Sequence, residues 1–406
     1  MSLWLSLWAL GPGCGSAQPA VSPPQTASPA AEASSPSPDP SFTRELEELK
    51  AHAVEAPTGA WTSRIEAKTA PSVSQDGATI SFEADLGIAT PVRCSVVAER
   101  RDHGATVTNA LERLAAHVEV REVEVYAFDA DEHQTAIFVR ALVALSVEGQ
   151  THLTGWKMMV ARTADQSMLC TLPAAGYRQT FVRVAGGFAR AMKSTRSLPP
   201  ADRVAVWAVT SAGAWVGHVR QRAHRDAGGG LTLQTWGTVM LPTSESALST
   251  SDFSAQESLN AAGELLAGQW VERAGEGAVS HFVLQQGSIG YDYQGLVNGA
   301  RQAGRIEGAR FVNADVYLRS ARQRVASGAP TTVVEVDEYH PDLDPARAFR
   351  VGYRIEKLED GARVRYELGP AKSEEESDAH GRLRRSKTRL GELELDGAIV
   401  FERGEI

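Results

Sequence analysis

The sequence predicts an α+β protein in which an antiparallel sheet covered by helices is followed by a β-rich domain with a curved antiparallel sheet or half-barrel. Amphipathic helical runs among short alternating strands predict the first part. A second half poor in helical periodicity, with strand runs parted by Gly-rich turns, predicts the other. Leu198-Pro199-Pro200-Ala201-Asp202 divides them, because paired prolines end a helix and stiffen a connector. The expected organisation is an apolar leader over 1–14, a linker over 15–42, a first domain over 43–197, a connector over 198–202 and a second domain over 203–406.

Residues 1–10, MSLWLSLWAL, have the length of a signal-peptide core and fall short of the roughly 20 residues a membrane-spanning helix needs. Gly11-Pro12-Gly13-Cys14-Gly15-Ser16 follows, and it resembles the cleavage segment of bacterial lipoproteins. The resemblance implies a lipid on the Cys14 thiol and anchorage in the cell envelope, with Gly15 in place of an acid favouring the outer membrane. Gly11 and Pro12 stand where that pattern carries Leu and a small residue, and the first basic residue is Arg44. From Ser16 to Asp39 the chain is nearly all Ala, Ser, Pro, Gln, Thr and Val, too poor in apolar bulk to offset its ordering entropy. A disordered tether is expected there, holding the folded part off a membrane.

In the first domain, TRELEELK at 43–50 reads as a short charged helix. Strand runs follow at 60–69, 77–85 and 91–99, the second alternating through Ile80, Phe82 and Ala84. The run 105–117 places Val107, Leu111, Leu114 and Ala115 on one helical face. Strands recur at 119–128, 134–147, 152–163 and 166–172, and a helix at 178–193 turns Phe181, Val184, Phe188 and Met192 inward. The Gly176-Tyr177 turn into that closing helix, with the element order before it, resembles PsbP/Mog1-like exported domains.

The second domain shows strand runs at 204–209, 214–225 and 231–241, the last after the Asp226 to Gly230 turn. More fall at 279–285, 331–337, 347–357, 362–368, 382–389 and 392–402. The stretch 251–272 is ambiguous: Ser254 and Glu257 fit a helix capping box, while Gly263 and Gly268 oppose a helix. The hairpin from Trp207 to Gly217 and the turn from Asp378 to Leu383 resemble the accessory β-domain of transglutaminase-like proteins, itself similar to LolA-like lipid-carrier sheets. That resemblance implies a concave apolar face. The domain has no cysteine, so no transglutaminase nucleophile is expected.

With 41 basic and 50 acidic residues the chain carries a formal charge of −9, which argues against a nucleic-acid partner. No phosphate-binding Gly loop, serine elbow or zinc-protease helix is present, so neither a cofactor nor a catalytic set is expected. Asp129-Ala130-Asp131-Glu132-His133 starts like a calcium loop but has Gln134 and Arg140 where the pattern needs Gly and Glu, so a solvated hairpin tip is expected. Glu338 to Pro345 is the densest cluster of potential ligands; a solvated, Pro-flanked turn is expected there, with His340, Asp342 and Asp344 as metal ligands or hydrolase residues the alternative. His218 and His224 are expected on the solvent face of a strand whose Trp215, Val219 and Ala223 face the core. His103, just ahead of a helix, is a candidate anion contact or capping-loop residue.

With Cys14 lipidated, Cys94 and Cys170 form an even remainder within one domain, and an exported compartment favours their disulfide. The basic run Arg382, Arg384, Arg385, Lys387, Arg389 reads as an internal ladder more than a polyanion patch. A hairpin turning at Leu390-Gly391 would set Arg389 against Glu392, Lys387 against Glu394 and Arg385 against Asp396. The functional expectation is an exported envelope lipoprotein acting as a non-enzymatic binding or assembly module, with a membrane and an envelope protein as partners. A carrier of a lipid or hydrophobic ligand, or a hydrolase, are the alternatives.

Overall fold

A computed structural model describes residues 43–405 apart from 100, 164, 195–199, 275–277 and 298. The signal-like segment, Cys14, the linker and the first residues of the connector lie outside the described residues. The architecture corrects the expected class. About 62% of the protein is strand and about 11% helix, so it is a mostly β protein and not an α+β domain covered by helices.

The first domain starts with β1 (Lys50–Glu55), β2 (Trp61–Ala67), β3 (Ser72–Asp76), β4 (Thr79–Ala84) and β5 (Val92–Val97), then enters α1 (His103–Ala115). It continues through β6 (Glu119–Ala130), β7 (Thr135–Val147), β8 (Gln150–Arg162) and β9 (Ser167–Pro173) to α2 (Arg178–Ala191) and β10 (Lys193–Ser194). β1, β2 and β10 form a small antiparallel sheet, and the rest form a seven-stranded sheet in the order β3-β4-β5-β9-β8-β7-β6. Alternation assigns its two faces. Phe82, Cys94, Phe138 and Met159 join a core with α2 residues Phe181, Val184 and Phe188 and with Trp61 and Ile65 of the small sheet. On the other face Ile137, Val139, Met158 and Val160 pack with Val107 of α1 and with Met240, a second-domain residue.

Residues 43–50 are not the expected helix. Glu45 instead reaches the start of α2, where its carboxylate accepts from Gln179 N at 2.9 Å and Thr180 N at 2.7 Å. Those N–H groups have no partner within their own helix, so a carboxylate there is worth more than one more turn of exposed helix.

The second domain runs through β11 (Arg203–Ser211), β12 (Ala214–Arg225), β13 (Leu231–Ser244), β14 (Ala247–Leu259), β15 (Leu265–Ala274), β16 (Ala278–Gln286), β17 (Gly290–Val297) and β18 (Ala300–Glu307). After α3 (Ala314–Tyr317) and α4 (Arg319–Ala326) come β19 (Thr332–Tyr339), β20 (Ala348–Leu358), β21 (Gly361–Leu368), β22 (Ala371–Asp378), β23 (Leu383–Leu390) and β24 (Leu393–Gly404). These strands form one 14-stranded antiparallel sheet, in which β24 returns to pair with β11 and so joins the β11–β18 and β19–β24 meanders. Phe311 bridges to Asp337 of β19 and Val312 to Glu264 beside β15, so one short segment stitches distant parts of the curved sheet together. The ambiguous stretch 251–272 is strand, turn and strand. Its would-be capping residue Glu257 is buried and accepts from Asn313 Nδ2 at 2.7 Å.

One face of the last meander is covered by the chain itself. Leu318, Ala321 and Val325 of the α3–α4 segment pack on Val351, Tyr353, Ile355, Val364 and Tyr366 of β20 and β21. The apolar face of β20 and β21 is therefore occupied by α3 and α4.

Candidate functional site

At the end of β19, Glu338 and His340 stand two residues apart and so share one side of the strand. Both are buried, and Glu338 Oε2 lies 2.7 Å from His340 Nε2 while Glu338 Oε1 accepts from the Tyr353 hydroxyl. Burial acts to raise the Glu338 carboxyl, but the His340 and Tyr353 hydrogen bonds override it and hold it below the ordinary value. Burial pushes the Asp342 carboxyl up to about 6, against the opposing pull of His340. Glu272, on β15, is pushed up to about 8 by burial, with Ser251 Oγ donating to it at 3.0 Å.

The expected turn is present, with Leu343 N and Asp344 N donating to the His340 carbonyl, but Glu338 and His340 at its start are buried and not solvated. His340 is tied to Glu338, whereas Asp344 is spent on its own turn, its Oδ1 accepting from Ala346 N at 2.9 Å. Among the described residues no three His, Cys, Asp or Glu side chains converge as a metal-binding group. With His340 only 3% exposed, the Tyr353–Glu338–His340 hydrogen-bonded chain is a buried polar brace within the domain. Its strand spacing was visible in the sequence; the contribution of Tyr353 from β20 was not.

The interface between the domains collects His103, His218 and the Asp131 turn, while His224, farther along β12, is half-buried. His218 is 0% exposed, against the expected solvent position, and stands 5.0 Å from His103 and 5.4 Å from Phe128, ring centre to ring centre. The outer face of β12 is covered by the first domain, so strand alternation could not distinguish it from a solvated face. Burial drives the His103 imidazole down to about 3, and burial with the neighbouring His103, Arg162 and Arg220 places His218 well below its ordinary value. The anion at the start of α1 is the Asp252 carboxylate of β14, which accepts from Gly104 N and Ala105 N, each at 2.9 Å. The calcium-like loop is a hairpin tip, as expected, but it meets a cation from this chain. Arg220 Nη1 donates to the Asp131 and Gln134 carbonyls at 2.9 Å, and its Nη2 donates to that of Glu132.

Cys94 and Cys170 face each other across β5 and β9 and form the expected disulfide. Their side chains lie on the α2 side of the seven-stranded sheet. The opposite side of the same strands, beyond the part covered by α1 and the second domain, is a groove of about 900 Å³. Ser74, Ser81, Glu83, Arg93, Ser95 and Thr171 line it, with Glu83 and Arg93 paired at 2.9 Å. β3 at its border is an edge strand.

The charge ladder on β23 and β24 is present in a different register. Arg389 faces Glu394, Lys387 faces Asp396 and Arg385 faces Ala398, two residues from the expected pairing, and Glu392 falls in the turn. Leu390 pairs with Leu393, and Gly391 takes the positive φ of 60° that Leu390 would resist. A shift by two keeps the same side chains on the same face. Glu394 consequently meets Lys387 Nζ at 2.6 Å and Arg389 Nη2 at 2.7 Å. β22 flanks the run on its other side, setting Glu374 against Lys387 and Glu376 against Arg385.

No family model matches the chain, and no curated protein matches it. Among solved structures it is similar to a β-barrel-like protein of the domain of unknown function DUF1849 from Brucella abortus, at 10% identity and a TM-score of 0.40, covering 52% of this chain and 100% of that one.

Proposed function

We propose that the protein is an exported binding or assembly module, anchored in the cell envelope through Cys14, whose partner lies along the groove of β3, β4, β5 and β9. The groove is the observation that carries this reading. It is open, lined by hydroxyl-bearing and charged side chains, and bordered by the unpaired edge of β3, which offers backbone groups to an extended partner chain. The Cys94–Cys170 disulfide backs the same strands, and a disulfide suits an oxidising, exported location. The lipoprotein-like Gly11 to Ser16 segment and the proline-rich tether supply the anchorage.

The test combines palmitate-analogue labelling with membrane fractionation and photo-crosslinking from Ser81. Labelling lost in Cys14→Ser, release of that variant from membranes, and a groove crosslink to one envelope protein that Glu83→Arg weakens are the expected results. Retention of Cys14→Ser in carbonate-washed membranes would count against the anchor, and a crosslink indifferent to groove substitutions would count against the groove.

A further inference from the structure

Where the α3–α4 segment meets the large sheet, a cavity of about 130 Å³ is lined by Arg203, Arg225, Arg319, Arg322, Arg382 and Asp315. They come from β11, β12, α3, α4 and the turn before β23, so distant parts of the chain bring five guanidinium groups to one small space. Three of these cations already have partners: Arg203 with Glu402 at 3.0 Å and Gln221 at 3.2 Å, Arg382 with Asp378 and Glu405, each at 2.9 Å, and Arg319. Arg322 differs. It is 1% exposed, and Asp315 takes only its Nη2, at 2.7 Å. Its Nε and Nη1 have no hydrogen-bond partner among the described residues, and Glu375 stands 3.8 Å from Nη1. Arg225, at the exposed rim, makes no ion pair among the described residues.

We propose that this cavity binds one phosphate-class oxoanion, free in solution or carried by a phospholipid headgroup. A guanidinium presents paired N–H groups at the spacing of two phosphate oxygens, and such charge-assisted bonds are the strong ones. The volume is ample for a tetrahedral anion, since one water needs only about 10–15 Å³ of such space. Electrostatics agree with an anion between these side chains: burial, then the Arg203 and Arg382 charges, press the Arg319 guanidinium down, against the opposing pull of Asp315 and Glu405. The site is separate from the groove and does not depend on it.

The test is calorimetric titration of the full chain carrying Cys14→Ser, so that no anchor contributes, with sodium phosphate and separately with phosphatidylglycerol and phosphatidylcholine vesicles. One-site phosphate binding is expected, weakened about tenfold in Arg225→Gln and again in Arg319→Gln, the effect of losing one charge-assisted contact. Binding of free phosphate identifies a soluble anion; binding only of phosphatidylglycerol vesicles identifies a headgroup. Arg225 lies at an exposed rim, so its variant keeps the fold, and circular dichroism verifies this. The proposal is overturned if neither probe binds, or if both variants bind as the parent does.

Discussion

Asp252 Oδ1 accepts the Gly104 backbone N–H at 2.9 Å, so a carboxylate of the second domain closes the N-terminus of a first-domain helix. Neither long helix uses its own N-cap: the Asp102 and Tyr177 side chains make no capping bond. Asp252 serves α1 from 148 residues away and Glu45 serves α2 from 134 residues away. Capping from such distances makes helix formation conditional on tertiary assembly, and at α1 it makes domain docking part of the same event.

Replacing Asp252 by Ala should therefore destabilise the whole protein by about 2–3 kcal/mol, because three donors, Gly104 N, Ala105 N and Thr238 Oγ1, lose their acceptor. Asp252→Asn keeps an acceptor and should lose less. Gly104→Ala should also destabilise, since an added Cβ would lie 2.8 Å from Asp252 Oδ2 and from Thr250 Cβ. Urea unfolding of the three variants checks the order; an Asp252→Ala protein as stable as the parent would refute the docking role.

Arg220→Met should free the tip of the β6–β7 hairpin, because the carbonyls of Asp131, Glu132 and Gln134 lose one shared donor. We expect faster amide exchange at 131–134 and a loss of about 1–3 kcal/mol. Adding calcium should not restore protection, since the guanidinium and not a metal holds the turn.

The parts of the fold that are legible in the sequence are those whose inward positions are apolar. β4 and β5 show Ile80, Phe82, Val92 and Val96 at alternate positions, and the expected runs match the strands. β22 points Ser373, Glu375 and Ser377 inward, toward Thr388 and Arg322 among others, so it carries no apolar alternation to read. β18 is largely exposed and polar, and escapes prediction for the same reason. At the candidate sites the residue types are visible but their partners are not. His103, His218 and the Asp131 turn each stand out locally, whereas Asp252 and Arg220 acquire meaning only when the two domains meet.

Acid should loosen that interface. His103 and His218 are both depressed in the folded protein, so each stays neutral there while the unfolded chain takes up protons below about pH 6.5. Their contribution is present above pH 6.5 and is lost as pH falls toward the His103 value of about 3. Glu272 acts in the opposite sense: its folded value of about 8 exceeds its unfolded 4.5, so stability falls as pH rises between them. His218→Phe should flatten the acid limb and Glu272→Gln the alkaline one. Unfolding free energies measured across both windows decide this, and an acid limb unchanged in His218→Phe would refute the assignment.

Reduction should weaken the first domain more than the second. The disulfide closes a sequence separation of 76 residues, and constraining the unfolded chain in this way is worth about 4–5 kcal/mol in the chain-entropy model. Cys94→Ala with Cys170→Ala should lower the thermal midpoint, with exchange protection lost first in β5 and β9. Intact mass before and after reduction verifies the bond itself, and equal midpoints for the oxidised parent and the double variant would show that it constrains nothing.

The Lys387–Glu394 contact separates two registers of the last hairpin. In the observed register Glu394 lies directly opposite Arg389 and diagonally from Lys387, and it binds both cations. These two bonds hold the Glu394 carboxyl below its ordinary value, and the Lys387 ammonium is correspondingly raised. Lys387→Glu should therefore disturb Glu374 and Asp396 as well as Glu394, since it places a third acid between the β22 and β24 carboxylates. Glu394→Lys should be the worse single change, because it confronts both Lys387 and Arg389. The double reversal should recover part of the loss but not all, leaving Arg389 beside a new cation. In the register that pairs Arg389 with Glu392, reversal of Lys387 and Glu394 would instead restore one closed pair and recover nearly everything. A double-mutant cycle in low salt, repeated with Arg389→Gln, distinguishes them: removing Arg389 should let the charge swap recover more in the observed register, short of the repulsion that Glu374 and Asp396 keep, and change nothing in the other.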